Sequence, residues 1–140
     1  NLVIVGKQGW MVEDLVHRMQ SHPLLGKRLF WLQSVSDQYL QQLYKVSIGL
    51  IAASHGEGFG LPLIEAAQYR IPVIARDIPV FREVAGKFAE YFDATSNDFE
   101  FSVFLSDWLK RRKKDQHASV EGMRWLSWSE SAKNLLSKII

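Results

Sequence analysis

Cysteine is absent from the 140 residues, which excludes disulfide scaffolds, thiol nucleophiles and cysteine zinc sites at once. Long apolar runs are missing too. None approaches the ~18–20 residues that a membrane-spanning helix requires. Charge of one sign is scarce: seventeen Lys and Arg stand against fifteen Asp and Glu, a net +2, which argues against a dedicated nucleic-acid domain. No repeat or low-complexity tract interrupts the chain. The opening residues, Asn1 to Gly6, have neither the basic segment nor the cleavage site of a signal peptide. With no initiating Met and a strand-like start, the sequence is expected to be a piece of a longer protein.

What is present is a globular composition, 47% hydrophobic and 23% charged, of a length suited to one domain. Short apolar runs at 2–5, 29–32, 48–53, 71–75 and 90–92 read as buried strands. Between and after them, helical spacing or start signals predict helices over 11–20, from Ser36 and Asp37 to about 47, over 62–69 and 79–84, from Asn97 to about 114, and over 129–140. Strands alternating with helices through short loops predict an α/β fold, a Rossmann-like parallel sheet with helices on both faces. In such sheets ligands bind beyond the carboxyl ends of the strands.

The loop at 54–61 carries the most chemistry. In Glu57-Gly58-Phe59-Gly60-Leu61-Pro62-Leu63-Ile64-Glu65, two glycines flank an aromatic residue just before a helix. Glycine lets backbone N–H groups approach a ligand, and a helix N-terminus adds donors and partial positive charge. The guest expected there is a diphosphate. A carboxylate on either side would repel it, unless the ligand also carries vicinal hydroxyls, to which ionised carboxylates are well suited as acceptors. A nucleotide sugar has such hydroxyls at both ends of its diphosphate. The plainer alternative is a tight turn followed by a Glu that complements the helix dipole.

Glu57 and Glu65, seven residues between them, resemble the paired-glutamate motif of retaining GT-B glycosyltransferases of family 4. Ser36-Asp37-Gln38-Tyr39-Leu40 through Leu43-Tyr44 resembles that family's base-side loop and helix. Ile71 to Ala75, Asp77-Ile78-Pro79 and Arg82 to Gly86 resemble its next strand and turn, and Trp125-Leu126-Ser127-Trp128-Ser129-Glu130 its terminal aromatic-Ser-Trp signature. The resemblance covers nearly the whole chain.

It implies the C-terminal, donor-binding half of a GT-B enzyme over residues 1–140, with the N-terminal acceptor domain outside this chain. Glu57 would lie by the transferred sugar as the catalytic residue, and Glu65 would hold the ribose hydroxyls. Backbone N–H groups around Gly58, Phe59, Gly60 and Leu61 would take the diphosphate. Val35 and Ser36 would meet the nucleobase, Gly6 and Lys7 would line the same cleft, and His55 would donate to a phosphate or stand as a plain surface histidine. The family's basic Arg and Lys lie upstream of residue 1, and Arg70 stands where relatives carry Gly. No Asp-x-Asp motif appears, and His17, His22 and His117 lack ligand spacing, so no metal or other cofactor is expected.

The implied reaction is retaining transfer of a hexose to a saccharide or lipid-linked acceptor. The wording of Gly6-Lys7-Gln8-Gly9-Trp10 and of Ala75 to Glu83 is similar to bacterial mannosyltransferases of surface polysaccharide (lipopolysaccharide) assembly, making GDP-mannose the leading donor. A cytoplasmic location is expected. The basic run Lys110 to Lys114 is expected to be a solvated helix end, the alternative being peripheral contact with the inner face of a membrane. A non-catalytic nucleotide-sugar-binding module and a GT-B sugar-nucleotide epimerase stand as the other readings.

Overall fold

The computed structural model describes residues 1–9 and 11–139; Trp10 and Ile140, the expected end of the last helix, lie outside them. The chain packs as two compact units, residues 1–43 and 44–140.

In the first unit, β1 (Leu2–Val5) pairs in parallel with β2 (Leu29–Leu32), Leu2 opposite Leu29 and Val5 opposite Leu32. Helix α1 (Glu13–Gln20) lies between them in sequence and buries Val16 and Met19. The spacing had predicted this helix from residue 11, but Met11 takes φ 56°, a left-handed conformation that cannot open a right-handed helix. Helix α2 (Asp37–Val46) starts where expected: the Ser36 hydroxyl accepts the Tyr39 N–H at 3.2 Å as an N-cap. The boundary between the units falls within α2.

The second unit holds β3 (Leu50–Ala52), α3 (Leu61–Gln68), β4 (Val73–Arg76), α4 (Pro79–Ala85), a 3-10 turn (Gly86–Phe88), β5 (Ala89–Phe92), α5 (Asp98–Arg112) and α6 (Trp128–Ile139). Its three strands are parallel in the order β3-β4-β5. The α/β class and the parallel pairing are therefore as read from the sequence, while among the described residues the strands form two hydrogen-bonded sheets, one in each unit, where a single sheet was expected.

Alternation along the central strand explains the layering. Val73 and Ala75 join Leu63, Ala66 and Ala67 of α3 and Phe81 and Ala85 of α4 in one core. Ile74, between them, faces Phe101, Phe104, Leu105 and Trp108 of α5 in a second. Successive side chains of a strand point to opposite faces, so β4 is covered on both. Burying each of Leu63, Ile74 and Phe81 contributes roughly 1.5–3 kcal/mol. Trp108 also lies over Gly49, just before β3: a Cβ there would stand 2.6 Å from the indole ring.

Two helix ends are built from recognisable hydrogen bonds. At the start of α5, Asn97 and Glu100 exchange side-chain and backbone bonds, both 3.0 Å, in a capping box. At the end of α3 the Ile71 N–H reaches the Ala66 carbonyl at 2.9 Å and the Arg70 N–H reaches Ala67 at 3.0 Å, a Schellman motif. That motif needs a left-handed residue, and Arg70 supplies it at φ 56°. The substitution of Arg for the family's Gly thus leaves the turn in place. The cap sets the start of the next strand, expected at 71, at Val73, because the Ile71 N–H is spent in the cap and Pro72 has none to give.

Candidate functional site

The site grows from the carboxyl end of β3. Residues 53–59 are exposed and lead into Gly60, which is buried and takes φ 81° as the N-cap of α3. Two constraints make glycine necessary there. The left-handed backbone disfavours any Cβ, and a Cβ would stand 3.2 Å from the ring of Phe81. Phe81 is itself 1% exposed, so the ring cannot easily give way. The Tyr91 hydroxyl, with one proton to donate, lies 2.8 Å from the Gly86 carbonyl and 3.1 Å from that of Phe81.

No side chain caps α3, and Pro62 stands second in it. The first turn of α3 contains no acidic residue, since Glu65 is its fifth residue. Glu65 thus lies just past the range in which a carboxylate serves the helix dipole, which weakens the plainer reading of that residue.

The two glutamates have different surroundings. Glu57 is exposed, and its Oε1 accepts the Gly58 N–H at 3.1 Å. Glu65 is half-buried, and its Oε2 accepts the hydroxyl of Tyr44 at 2.8 Å. Tyr44 stacks on Tyr69, ring centroids 5.4 Å apart and planes 5° from parallel. Burial first, then the hydrogen bond and charge of Glu65, push the Tyr44 hydroxyl well above its ordinary pKa, so it stays protonated and donating. The sequence reading placed Tyr44 in the stretch that resembles the family's base-side helix but gave it no role of its own. Its sole signal was a hydroxyl on the face of α2 that carries Leu40 and Leu43.

Phe59 is 57% exposed at the loop's tip, while His55 and Gly58 are also exposed, and Leu61 opens α3. Arg76 was a second unforeseen contributor. Its guanidinium donates to the Ala53 carbonyl at 3.1 Å and to Ala94 at 2.7 Å, and lies 5.0 Å over the Phe92 ring, tying the root of the loop to the end of β5. Arg82 forms a two-pronged pair with Asp77 at 2.7 and 2.6 Å, so its charge is already engaged.

Gly6, Lys7, Val35 and Ser36 belong to the first unit. Gly6 takes φ 137°, and its carbonyl accepts the Trp31 indole N–H at 2.9 Å. Lys7 and Ser36 are exposed and Val35 is half-buried.

Of the basic run, Arg111 is bound to Glu90 at 2.6 Å and Asp107 at 2.8 Å, and Arg112 to the Ile48 carbonyl at 3.1 Å. Trp128 belongs to the aromatic-Ser-Trp stretch at the start of the last helix. It is 82% exposed, and the start of α6 carries a capping box between Ser127 and Glu130. Among the described residues no three His, Asp or Glu side chains gather as a metal-binding group, and no helix is long and apolar enough to cross a membrane.

Comparison with known proteins gives this geometry a context. Residues 1–125 match the family described as glycosyl transferases group 1. The chain is 50% identical over 139 residues to the serotype-specific mannosyltransferase WbdA of Escherichia coli, covering 99% of this chain and 17% of that protein. It is 43% identical over 67 residues to the O-antigen chain mannosyltransferase RfbU of Salmonella typhimurium, 48% of this chain and 19% of that protein. The chain thus spans about a sixth of the first relative's length. The two glutamates, the left-handed glycine between them and this match over most of the sequence lead to one conclusion: the chain belongs to the group 1 glycosyl transferases.

Proposed function

We propose that this chain is the donor-binding part of a retaining glycosyltransferase that moves mannose from GDP-mannose to a saccharide or lipid-linked acceptor. It would do so at the cytoplasmic face of the membrane, in surface polysaccharide synthesis. The observation that carries the reading is the contrast between the paired carboxylates. One lies on an exposed loop, bonded to the neighbouring Gly58 N–H, and the other is tethered on α3 by Tyr44, with Gly60 between them at the helix N-terminus. The mannosyltransferase names of WbdA and RfbU support the sugar.

In this reading Glu57, on an exposed loop, accepts hydroxyls of the transferred sugar and steadies positive charge near its anomeric carbon. Glu65 accepts the ribose hydroxyls. Backbone N–H groups of Phe59, Gly60 and Leu61 face the diphosphate, aided by the partial positive charge of the α3 N-terminus, where leaving-group charge develops. This electrostatic help needs no protein-held metal.

Incubating the full-length polypeptide with GDP-mannose and a mannose-terminated acceptor tests the reading. Glycosylated acceptor with the donor's anomeric configuration is the expected product. Altered donor alone would mean an epimerase, and bound but unchanged donor a binding module. Glu57→Ala is expected to cut turnover by ~10²-fold or more, on the scale of losing one preorganised contact. Turnover within a few-fold of the parent would remove Glu57 from the chemistry.

A further inference from the structure

We infer that Tyr44 is a positioning residue for the donor: it holds the carboxylate of Glu65 at one oxygen, so that the other is presented to the vicinal hydroxyls of a ribose. The inference rests on the assignment of Glu65 to the donor's ribose made above.

The argument begins with the geometry of α3. Glu65 and Tyr69 are four residues apart, one helical turn, and therefore lie on the same face. Tyr44 meets both. Its ring stacks on Tyr69 and its hydroxyl donates to Oε2 of Glu65 at 2.8 Å. Tyr44 is thus held by its flat side as well as by its tip, which fixes where the hydroxyl sits. A carboxylate has about four acceptor positions. Tyr44 occupies one, which leaves Oε1 and the second lone pair of Oε2 for a diol.

The tether matters because Glu is a long side chain with much rotamer freedom to lose. An untethered Glu65 would lose that freedom when the donor binds. Held by Tyr44, it has already lost it on folding, and binding is stronger by the difference. The tether also sets direction. Both ribose hydroxyls must reach the carboxylate together, so a rotated carboxylate forfeits the second bond. The ribose lies away from the bond that breaks, and contacts made equally in ground and transition states alter KM more than kcat.

The experiment compares wild type and Tyr44→Phe in the full-length polypeptide. Dissociation constants are measured for GDP, UDP and ADP, each beside its 2′-deoxy counterpart. The ratio of deoxy to ribo affinity is the readout, and a loss of folded fraction cancels in it because both ligands are tested on one preparation. The wild type is expected to favour the ribonucleotide by about tenfold, the scale of one hydrogen bond to a charged group. Tyr44→Phe keeps the stacked ring and is expected to bring the ratio to within about twofold of unity. In turnover it should raise KM for the sugar nucleotide several-fold with kcat little changed. A variant that keeps the full ratio would overturn the positioning role and leave Glu65 on the ribose. A wild type with no ribose preference would overturn the Glu65 assignment itself, and the role of Tyr44 with it.

Discussion

Arg70 takes φ 56° at the end of α3, where a Cβ crowds the following carbonyl oxygen. The left-handed conformation costs an L-residue ~1–2 kcal/mol, and glycine avoids that cost while giving up roughly 0.5–1 kcal/mol of extra unfolded-state entropy. Arg70 is exposed, so its side chain contributes little packing against that difference. Arg70→Gly is therefore expected to stabilise the protein by about 0.5–1 kcal/mol, read as a higher urea midpoint with an unchanged slope. A lower midpoint would mean that the Arg side chain holds something the backbone argument neglects. Gly60 is the opposite case, since backbone and the Phe81 ring both exclude a larger residue there. The glycine at 60 was legible as a close-approach position. Tyr44 was not, because its importance depends on a carboxylate 21 positions away.

Helix α5 shows how far pattern reaches along one segment. Its start was readable from Asn97, because a cap is local chemistry. The basic run at its end was readable as a helix terminus, and the Asp107–Arg111 pair is one helical turn apart, but the other partners, Glu90 on β5 for Arg111 and the Ile48 carbonyl before β3 for Arg112, carry no local signal. Glu90 of β5 lies on the same side of its strand as Phe92, toward α5, and accepts from Arg111 at 2.6 Å and from the Ala118 N–H at 2.9 Å. Burial pushes its carboxyl up, but the Arg111 hydrogen bond and charge together with the Ala118 N–H outweigh burial and hold it below the usual range. An unfolded Glu titrates near ~4.3. The pair therefore adds stability above that pH and loses it as the pH falls through the lower, folded value. Urea midpoints measured between about pH 5 and pH 3 should fall, and Glu90→Gln should lessen the fall while lowering the midpoint at pH 7. A parallel fall in both proteins would show that other carboxyls carry the acid response.

Burial is unevenly divided over the protein. All the side chains that are less than 2% exposed and largest in volume, Phe81, Leu63, Ile74 and Val73, belong to residues 44–140. Among the described residues of 1–43 the buried side chains are Val16 and Met19, while Leu2, Val3 and Val5 of β1 are 40% exposed or more. Amides deep in a core exchange only when the whole unit opens, and those in lightly packed strands exchange by smaller openings. Native-state hydrogen exchange should therefore find Ile74 and Ala75 among the slowest amides, with β1 and β2 exchanging well before them. Equal protection in the two sheets would contradict that ordering. The sequence identified the strands of both sheets, because each is a short apolar run, but read them as a single sheet. It held no measure of how thickly each would be covered, which depends on helices that arrive from elsewhere in the chain.

β4 answers to two masters: Val73 and Ala75 to one core, Ile74 to the other. One residue gained or lost within it would exchange those allegiances and spoil both cores together. Side chains in β4 can be traded for others of similar bulk, but its length cannot drift. Among descendants of this protein, heritable changes in length should collect in the exposed connections and spare this four-residue strand.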